Sequence, residues 1–356
     1  MTFLRSSLAA LAAALALSCA AGAAPRADRA ADPTAGSGAG LRHAPAVARI
    51  GIISAFGQEA DLLVAQMQRA RTVVLDGNRF TVGTLRGVPV VIVLSGVSLV
   101  NSAMVTQMML DHFRIERLVM TGIAGGVDPA RHVGDVTVPE RWAMPMEVYW
   151  NANSDVPAAC GQPGDVACLG LKLAEVDGHA VPPFALGASA AGAAPDAGSP
   201  GLFARETFVR TAANAPAGEF RFDYHADPEM LAVARTLAPD LARCGPKDPT
   251  RCVRTQPALI VGGRGVSVPA FLADPRYRTY LFEQLHAEAI EMETAAFAHV
   301  AYANHVPWVA FRSLSDLAGA TAFDPDVAAL FTSGLAEANE AAVTLAFLEA
   351  WRTRPR

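Results

Sequence analysis

Three carboxyl side chains stand where apolar segments of the sequence end. Glu59 follows an apolar strand pattern, Glu293 closes the run 291–293, and Asp316 follows the strongly apolar strand 308–312. Burial raises the pKa of a carboxyl group, and acids with raised pKa values suit general acid–base catalysis near neutral pH. Glu59 and Asp316 also have an ordinary explanation, because acids favour helix N-termini. Together the three predict one site that transfers protons.

Two glycine-containing segments, 96–102 and 122–126, follow predicted strands. Glycine allows the backbone to approach a ligand closely, although ordinary turns need glycine as well. Neither segment matches the phosphate-binding loop or the dinucleotide fingerprint. The sequence therefore gives no support to nucleoside triphosphates or nicotinamide cofactors.

The elements that must position these residues alternate between strands and helices. Short apolar runs predict strands, and apolar residues at helical spacing predict helices. The repeated order of strand, glycine and helix argues for an α/β sheet with active-site loops at the strand ends. The predicted strands are 48–54, 80–85, 88–95, 117–121, 134–139, 258–262, 289–292 and 308–312, and the predicted helices are 58–71, 99–113, 228–237, 294–304 and 325–351.

The composition predicts a single domain over residues 48–356. The chain has 356 residues, of which 52% are apolar, so a sizeable core is available. The stretch 151–218 is rich in Ala, Gly and Pro and weak in periodicity, and we expect an irregular insertion there rather than a second domain. A formal net charge of −5 without a basic cluster argues against a nucleic-acid partner.

The first 23 residues have the pattern of a secretory signal peptide. Arg5 precedes the apolar run 8–17, and small residues follow it. The run is too short for a permanent membrane span, so we expect an exported protein, periplasmic or secreted. A lipid anchor at Cys19 is the alternative. Residues 24–47 are rich in Pro, Gly and Ala and predict a disordered linker.

The remaining four cysteines form two close pairs. Cys160 and Cys168 enclose one short loop rich in Gly, Pro and Asp, and Cys244 and Cys252 enclose another. Two local disulfides, as expected in an oxidising compartment, are the simplest interpretation. A zinc site is the rival interpretation, but no CxxC spacing or nearby histidine cluster accompanies the cysteines.

The sequence resembles the nucleoside phosphorylase/nucleosidase superfamily, and within it most closely the bacterial methylthioadenosine/S-adenosylhomocysteine nucleosidases. The runs 291–299 and 312–316 are the most specific part of a resemblance that covers about 49–139 and 258 to the C-terminal helix. It implies a three-layer α/β/α fold with a twisted, mixed central sheet, phosphorylase/hydrolase-like. It also implies a small-molecule nucleoside substrate, no cofactor, no metal and a homodimer that completes its pockets across the interface.

The resemblance also implies catalytic roles. Glu59 matches the acid that activates water, and Arg312 matches the arginine that helps to hold the water and the acids. Asp316 matches the acid that protonates purine N7, with Ser315 beside it. Breaking an N-glycosidic bond builds oxocarbenium character on the sugar and negative charge on the base, so two acids in different environments can divide the work.

The same resemblance predicts the substrate contacts. Glu293 matches the acid that binds the ribose hydroxyls, and Met292 matches the side chain that packs against the sugar. Val97, in the first glycine segment, is expected to contact the substrate. Phe56 and Phe323 are expected to line the sugar or its substituent, and core packing is the alternative for each of the two phenylalanines.

The predicted base contacts depart from the family pattern. The stretch 261–268 resembles the one that contacts adenine in the nucleosidases. Val266 stands in place of the stacking aromatic residue and Arg264 in place of an acid. Loss of an aromatic contact removes about 1 kcal/mol, so the sequence does not predict adenine specificity.

Two residues bear on the choice between water and phosphate as the nucleophile. Phosphorylases of the superfamily hold phosphate with an arginine and a serine, and the matching positions here are Met120 and Ile123. Neither can hold an anion, so hydrolysis is predicted. Two alternatives stay open: a phosphorylase that binds phosphate by another route, and a non-catalytic nucleoside-binding or storage protein on the same fold.

Overall fold

The computed structural model describes residues 47–152, 171–186, 199–319 and 332–354, all within one compact unit, Pro45–Arg356. Most of its elements are strands. They are β1 (Arg49–Ser54), β2 (Gln68–Leu75), β3 (Asn78–Leu85), β4 (Val88–Leu94), β5 (Ile115–Gly126), β6 (Val136–Val138), β7 (Arg141–Ala143), β8 (Val148–Asn151), β9 (Glu175–Val176), β10 (His179–Ala180), β11 (Phe184–Ala185), β12 (Gly201–Ala204), β13 (Thr207–Val209), β14 (Glu219–Arg221), β15 (Asp223–His225), β16 (Leu259–Val261), β17 (Arg264–Ser267), β18 (Ala287–Glu291) and β19 (Trp308–Asp316).

Six helices are described. They are α1 (Gly57–Val64), α2 (Leu99–His112), α3 (Pro228–Arg235), α4 (Pro275–Leu285), α5 (Thr294–Ala303) and α6 (Leu335–Thr353). None of the helices in the described ranges is both long enough and apolar enough to cross a membrane.

Twelve strands form one mixed sheet. Nine of them follow the order β15-β7-β17-β18-β5-β1-β4-β3-β2, and the other three are β19, which pairs with β5 and β6, β6 itself, and β16, which pairs with β6. Helices α1, α3 and α6 pack together on one face, and α2 packs against α5 on the other. Ring contacts show both faces of β19: Trp308 packs against Phe297 of α5, and Phe311 packs against Phe347 of α6. The predicted three-layer fold with a mixed central sheet is therefore confirmed.

The apolar sequence of β1 follows from its position at the centre of the sheet. Strand β1 runs parallel to both β4 and β5, so it is covered by helices on both faces, and five of its six residues are buried. Such a strand needs a nearly continuous apolar run. Strands β1, β5 and β19 are parallel neighbours, so their carboxyl ends meet at one edge of the sheet. This edge is where ligands bind in open α/β sheets.

The predicted helix over 58–71 is wrong at its C-terminal end. Helix α1 ends at Val64, and the chain then enters β2, which pairs antiparallel with β3. Strand β2 lies at the edge of the sheet and most of its side chains are exposed. An exposed edge strand carries little apolar alternation. The sequence of β2 therefore does not mark the point at which the helix ends.

Helix α4 was missed by the sequence analysis. Its start has a clear signal: Asp274 accepts hydrogen bonds from the N–H groups of Arg276 and Tyr277 at 2.7 and 3.3 Å, and Pro275 occupies the first turn. Aspartate followed by proline is a common helix start. Strands β7 and β15 were also missed, because they are only three residues long.

The predicted insertion contains more regular structure than expected. Its described parts, 171–186 and 199–218, include short strands that form small antiparallel sheets, such as β11 with β12. Cys160, Cys168 and Phe323 lie outside the described residues, as do the signal peptide, nearly all of the predicted linker and the first residues of the helix predicted from 325. The structure joins Cys244 to Cys252 by a disulfide bond.

Candidate active site

A cavity of about 720 Å³, counting its open mouth, lies at the edge where β1, β5 and β19 end. Glu59, Glu293 and Asp316 all line it. These residues come from distant parts of the chain, so the fold brings together the three acids that the sequence analysis singled out.

Glu59 is held rigidly at the base of this cavity. It lies in the first turn of α1, and its Oε2 accepts hydrogen bonds from the N–H groups of Ala55 and Phe56 at 2.7 and 3.1 Å. Its Oε1 accepts one from the N–H of Ile123 at 2.9 Å. Burial raises the pKa of Glu59 above its usual range, against the opposing effects of Arg312 and the three N–H groups. A fixed, desolvated carboxylate of this kind is suited to act as a base.

Gly122 makes room for this arrangement. A Cβ atom at this position would collide with Oε1 of Glu59 and with a guanidinium nitrogen of Arg312. The absence of a side chain therefore lets β5 pass directly beneath the acid and its partner.

Arg312 is fully buried beside Glu59 and Glu293. Its guanidinium forms an ion pair with Glu291 and donates hydrogen bonds to the Thr294 hydroxyl at 3.1 and 2.8 Å. It lies 3.9 Å from Glu59 and 3.8 Å from Glu293. Arg312 thus faces the carboxyl groups of Glu59, Glu291 and Glu293, and its ion pair with Glu291 mainly orients it.

Glu293 faces the cavity from the start of α5. Its Oε1 accepts a hydrogen bond at 2.9 Å from the N–H of Ser98, whose φ of 112° is unusual for a residue other than glycine. Strained backbone of this kind is concentrated at functional sites. Burial and the neighbouring Glu291 raise the pKa of Glu293 to about 8.

Asp316 lines the cavity at the end of β19. Its Oδ1 accepts a hydrogen bond from the N–H of Ala318 at 2.7 Å, and the Ser315 hydroxyl donates to its Oδ2 at 3.0 Å. Burial raises the pKa of Asp316, while these hydrogen bonds and the charge of Arg278 oppose the rise. A carboxyl group that keeps its proton toward neutral pH can act as an acid.

The structure places most of the other predicted contacts in the same cavity. Phe56, Val97, Met292 and Ser315 all line it. Val266 is not among the residues that line it, and it is fully buried in a hydrophobic cluster, so its contact with the substrate stays a prediction.

Arg264 has a structural role instead of a place in the base pocket. It is almost fully buried and forms two hydrogen bonds, of 2.8 and 2.9 Å, with the carboxylate of Asp223. This paired geometry joins β17 to β15 and satisfies a buried charge.

The sequence analysis missed an aromatic side chain on the cavity wall. Phe271 lines the cavity together with Ala270 and Leu272, and it is 69% exposed. It follows β17 by four residues, so a search slightly beyond Val266 would have found it. An exposed phenylalanine at a cavity mouth offers a flat apolar surface to a ligand.

The charge of the cavity wall decides what it can bind. Neither lysine nor arginine lines it within the described ranges, and Met120, predicted at one anion-binding position, is fully buried in the core. Ile123 does line the cavity. In the same ranges, no group of three or more His, Cys, Asp or Glu residues is arranged to hold a metal ion. The wall is therefore apolar and acidic.

A strand-edge cavity lined by two buried acids and a partly buried one, on a three-layer α/β/α sheet, is typical of an enzyme that acts on a small ligand. The sequence matches the Phosphorylase superfamily over residues 49–349. The chain belongs to this superfamily, which confirms the membership predicted from its motifs.

The similar curated proteins are nucleosidases. The chain is 27% identical over 275 residues to 5'-methylthioadenosine/S-adenosylhomocysteine nucleosidase from Bacillus cereus, covering 76% of this chain and 87% of that protein. It is 29% identical over 269 residues to the protein of the same name from Geobacillus kaustophilus, covering 75% and 84%. The predicted resemblance to this group of nucleosidases is confirmed.

Solved structures share the fold. The nucleosidase of the same name from S. pneumoniae, with a transition-state inhibitor, superposes with a TM-score of 0.55 at 23% identity, covering 85% of this chain and 99% of that one. Futalosine hydrolase of Helicobacter pylori superposes with a TM-score of 0.54 at 18% identity, covering 85% and 97%.

Proposed function

We propose that the protein is an N-ribosyl hydrolase that uses water to release the free base from a purine nucleoside or thionucleoside. The observation that carries the proposal is the convergence of Glu59, Glu293 and Asp316 on one cavity. The names of the similar proteins, which refer to methylthioadenosine and S-adenosylhomocysteine, support the same substrate class.

The site can divide the reaction between its acids. Asp316 donates its proton to the departing base, which removes the negative charge that develops there. Glu59 accepts a proton from water as the water attacks the sugar carbon, and Arg312 holds Glu59 in place. Glu293 binds the sugar hydroxyls, and the ionised Glu59 near the sugar stabilises its developing positive charge.

Water is favoured over phosphate as the nucleophile. A phosphate dianion needs basic partners, and the described cavity wall contains no lysine or arginine. The ionised Glu59 would repel the dianion.

The base is proposed to stack against Phe271. Replacing Phe271 by alanine is expected to lower kcat/KM about tenfold to a hundredfold, mainly through KM, because stacking on an aromatic side chain contributes about 1–3 kcal/mol per base. Steady-state kinetics of base release would measure this. Val74→Ala is a matched control, since Val74 is also exposed but lies on edge strand β2. Equal effects of the two substitutions would contradict the stacking.

The close approach at Gly122 gives a second prediction. Gly122→Ala is expected to lower kcat by about a hundredfold or more, because a displacement of catalytic groups by about 1 Å has an effect of this size. The matched control is Gly57→Ala, where a Cβ atom would meet only the Asp61 carboxylate at 3.9 Å. Circular dichroism of both variants should show a native fold. An unchanged kcat in Gly122→Ala would contradict the geometry of the site.

A nucleoside panel tests the proposed function. Purified protein without phosphate is expected to release free base from methylthioadenosine, S-adenosylhomocysteine, adenosine or inosine, with the strongest turnover defining the substrate. Binding of these compounds without release of base would favour a non-catalytic binding protein.

We also propose an exported homodimer. The secretory pattern of residues 1–23 supports export, and fractionation of cells would test it. Val97, Val100 and Met104 leave an exposed apolar surface on and just before α2, next to the cavity, which supports a subunit contact there. A monomer in analytical ultracentrifugation would contradict the dimer.

A further inference from the structure

Helix α6 carries a buried acid that the proposed reaction does not use. Glu340 is fully buried, and its Oε2 accepts a hydrogen bond from the hydroxyl of Thr121 in β5. Thr344, one turn further along α6, forms a second hydrogen bond of 2.8 Å with the same hydroxyl. Both bonds cross from the helix to the central strand beneath the active site.

The surroundings of Glu340 are polar although they lie in the core. Ser54 of β1 and Ser313 of β19 are fully buried on strands adjacent to β5, and their hydroxyl groups have no partner among the described residues. The Oε1 atom of Glu340 has none either. Buried polar atoms without a hydrogen-bond partner are rare in natural proteins, so this layer needs an explanation.

Charge balance indicates that Glu340 is neutral. The groups that interact electrostatically with it are Glu59 of α1, Arg312 of β19 and Glu337 of α6. Arg312 already faces Glu59, Glu291 and Glu293, so a further carboxylate would be left uncompensated. An isolated buried charge is very costly, and a protonated carboxyl group avoids that cost. Burial correspondingly raises the pKa of Glu340 well above its usual range.

The bond to Thr121 leads directly to the active site. Gly122, the next residue, lies against Glu59 and Arg312, and Ile123 donates its N–H to Glu59 at 2.9 Å. A shift of Thr121 would therefore move the backbone on which Glu59 rests. We propose that Glu340 is a positioning residue: a neutral acid that, through Thr121, holds the end of β5 against Glu59. This proposal rests on the proposed hydrolysis.

Kinetics and pH profiles of two Glu340 variants test the proposal. In Glu340→Leu, kcat is expected to fall about tenfold or more with little change in KM, because the Thr121 hydroxyl loses its hydrogen bond to Glu340 and only Thr344 remains to hold it. Loss of the Ile123 hydrogen bond would raise the pKa of Glu59 and move the acid limb of the profile to higher pH. Glu340→Gln is neutral and can still accept from Thr121, so it is expected to rescue kcat to within about threefold of the wild type with the acid limb unmoved.

Two further variants keep the test decisive. Thr121→Val removes the same hydrogen bond from the strand side and is expected to reproduce the effect of Glu340→Leu, even if that variant folds poorly. Glu337→Gln is the matched control, since Glu337 is also buried on α6 but does not bond to β5. Unchanged kinetics in Thr121→Val and Glu340→Leu would overturn the proposal. An acid limb that moves to lower pH in Glu340→Gln would overturn it too, because it would show that Glu340 is charged.

A stability measurement separates this proposal from the proposed reaction. When folding raises the pKa of a carboxyl group, the free energy of unfolding falls as the pH rises above the pKa that the group has in the unfolded chain. For Glu340 that pKa is about 4.5. The melting temperature of the wild type should therefore fall more between pH 5 and pH 8 than that of Glu340→Gln. If no nucleoside is cleaved, this difference still reports a neutral Glu340, whereas identical slopes would overturn its neutrality.

Discussion

Replacing Glu59 by glutamine is expected to lower kcat for base release by about 10²- to 10⁴-fold, the usual contribution of a general base. Glutamine has nearly the same shape, but it cannot take a proton from water. Its amide would also disturb the contacts with the N–H groups of Ala55 and Ile123, which donate to the carboxylate. Initial rates at saturating substrate would measure the loss.

The pH dependence of activity tests the role of Glu59 as the base more specifically. Activity of the wild type should fall as pH falls through the pKa of Glu59, which burial raises above 4.5, because the base must be ionised. The fold should survive the substitution, because the charge of a buried carboxylate with a raised pKa does not stabilise the folded state. Glu116→Gln, at an exposed ion pair, is the control. Wild-type activity in Glu59→Gln would remove the proposed base.

Replacing Asp316 by asparagine is expected to have a similarly large effect, about 10²- to 10⁴-fold on kcat. Asparagine keeps the contact with the N–H of Ala318 but has no acidic proton for the base. The wild type should lose activity as pH rises through the pKa of Asp316, which burial raises above 3.8. This basic limb should disappear in the variant.

A nitrophenyl riboside separates proton donation from other roles of Asp316. Its leaving group departs without protonation, so Asp316→Asn is expected to cleave it at close to the wild-type rate. An equal loss on the natural nucleoside and on the nitrophenyl riboside would contradict the role of general acid.

Sequence reasoning located the central acids because their signals are local. Glu59, Glu293 and Asp316 each stand beside an apolar strand, and a strand that ends in an acid is visible in the sequence itself. The order of these segments along the chain then predicted the α/β sheet. The fold class and the elements that carry the acids could therefore be derived without coordinates.

The interactions that orient the acids could not be derived in this way, because they join distant residues. Arg312 is held by Glu291, 21 positions away, and Thr121 meets Glu340 across 219 positions. Phe271 was missed for a related reason. The length of the loop after β17 decides which side chain reaches the cavity, and that length is not encoded in strand periodicity. Phe271 reaches it.

The origin of the oxygen atom in the sugar product tests the central claim most directly. Purified protein should be incubated with its best nucleoside in ¹⁸O-labelled water, with and without phosphate, and the products analysed by mass spectrometry. Attack by water on the sugar predicts one ¹⁸O atom at the anomeric carbon at the earliest times and a rate independent of phosphate. A sugar phosphate as product, with no turnover when phosphate is left out, would contradict the account.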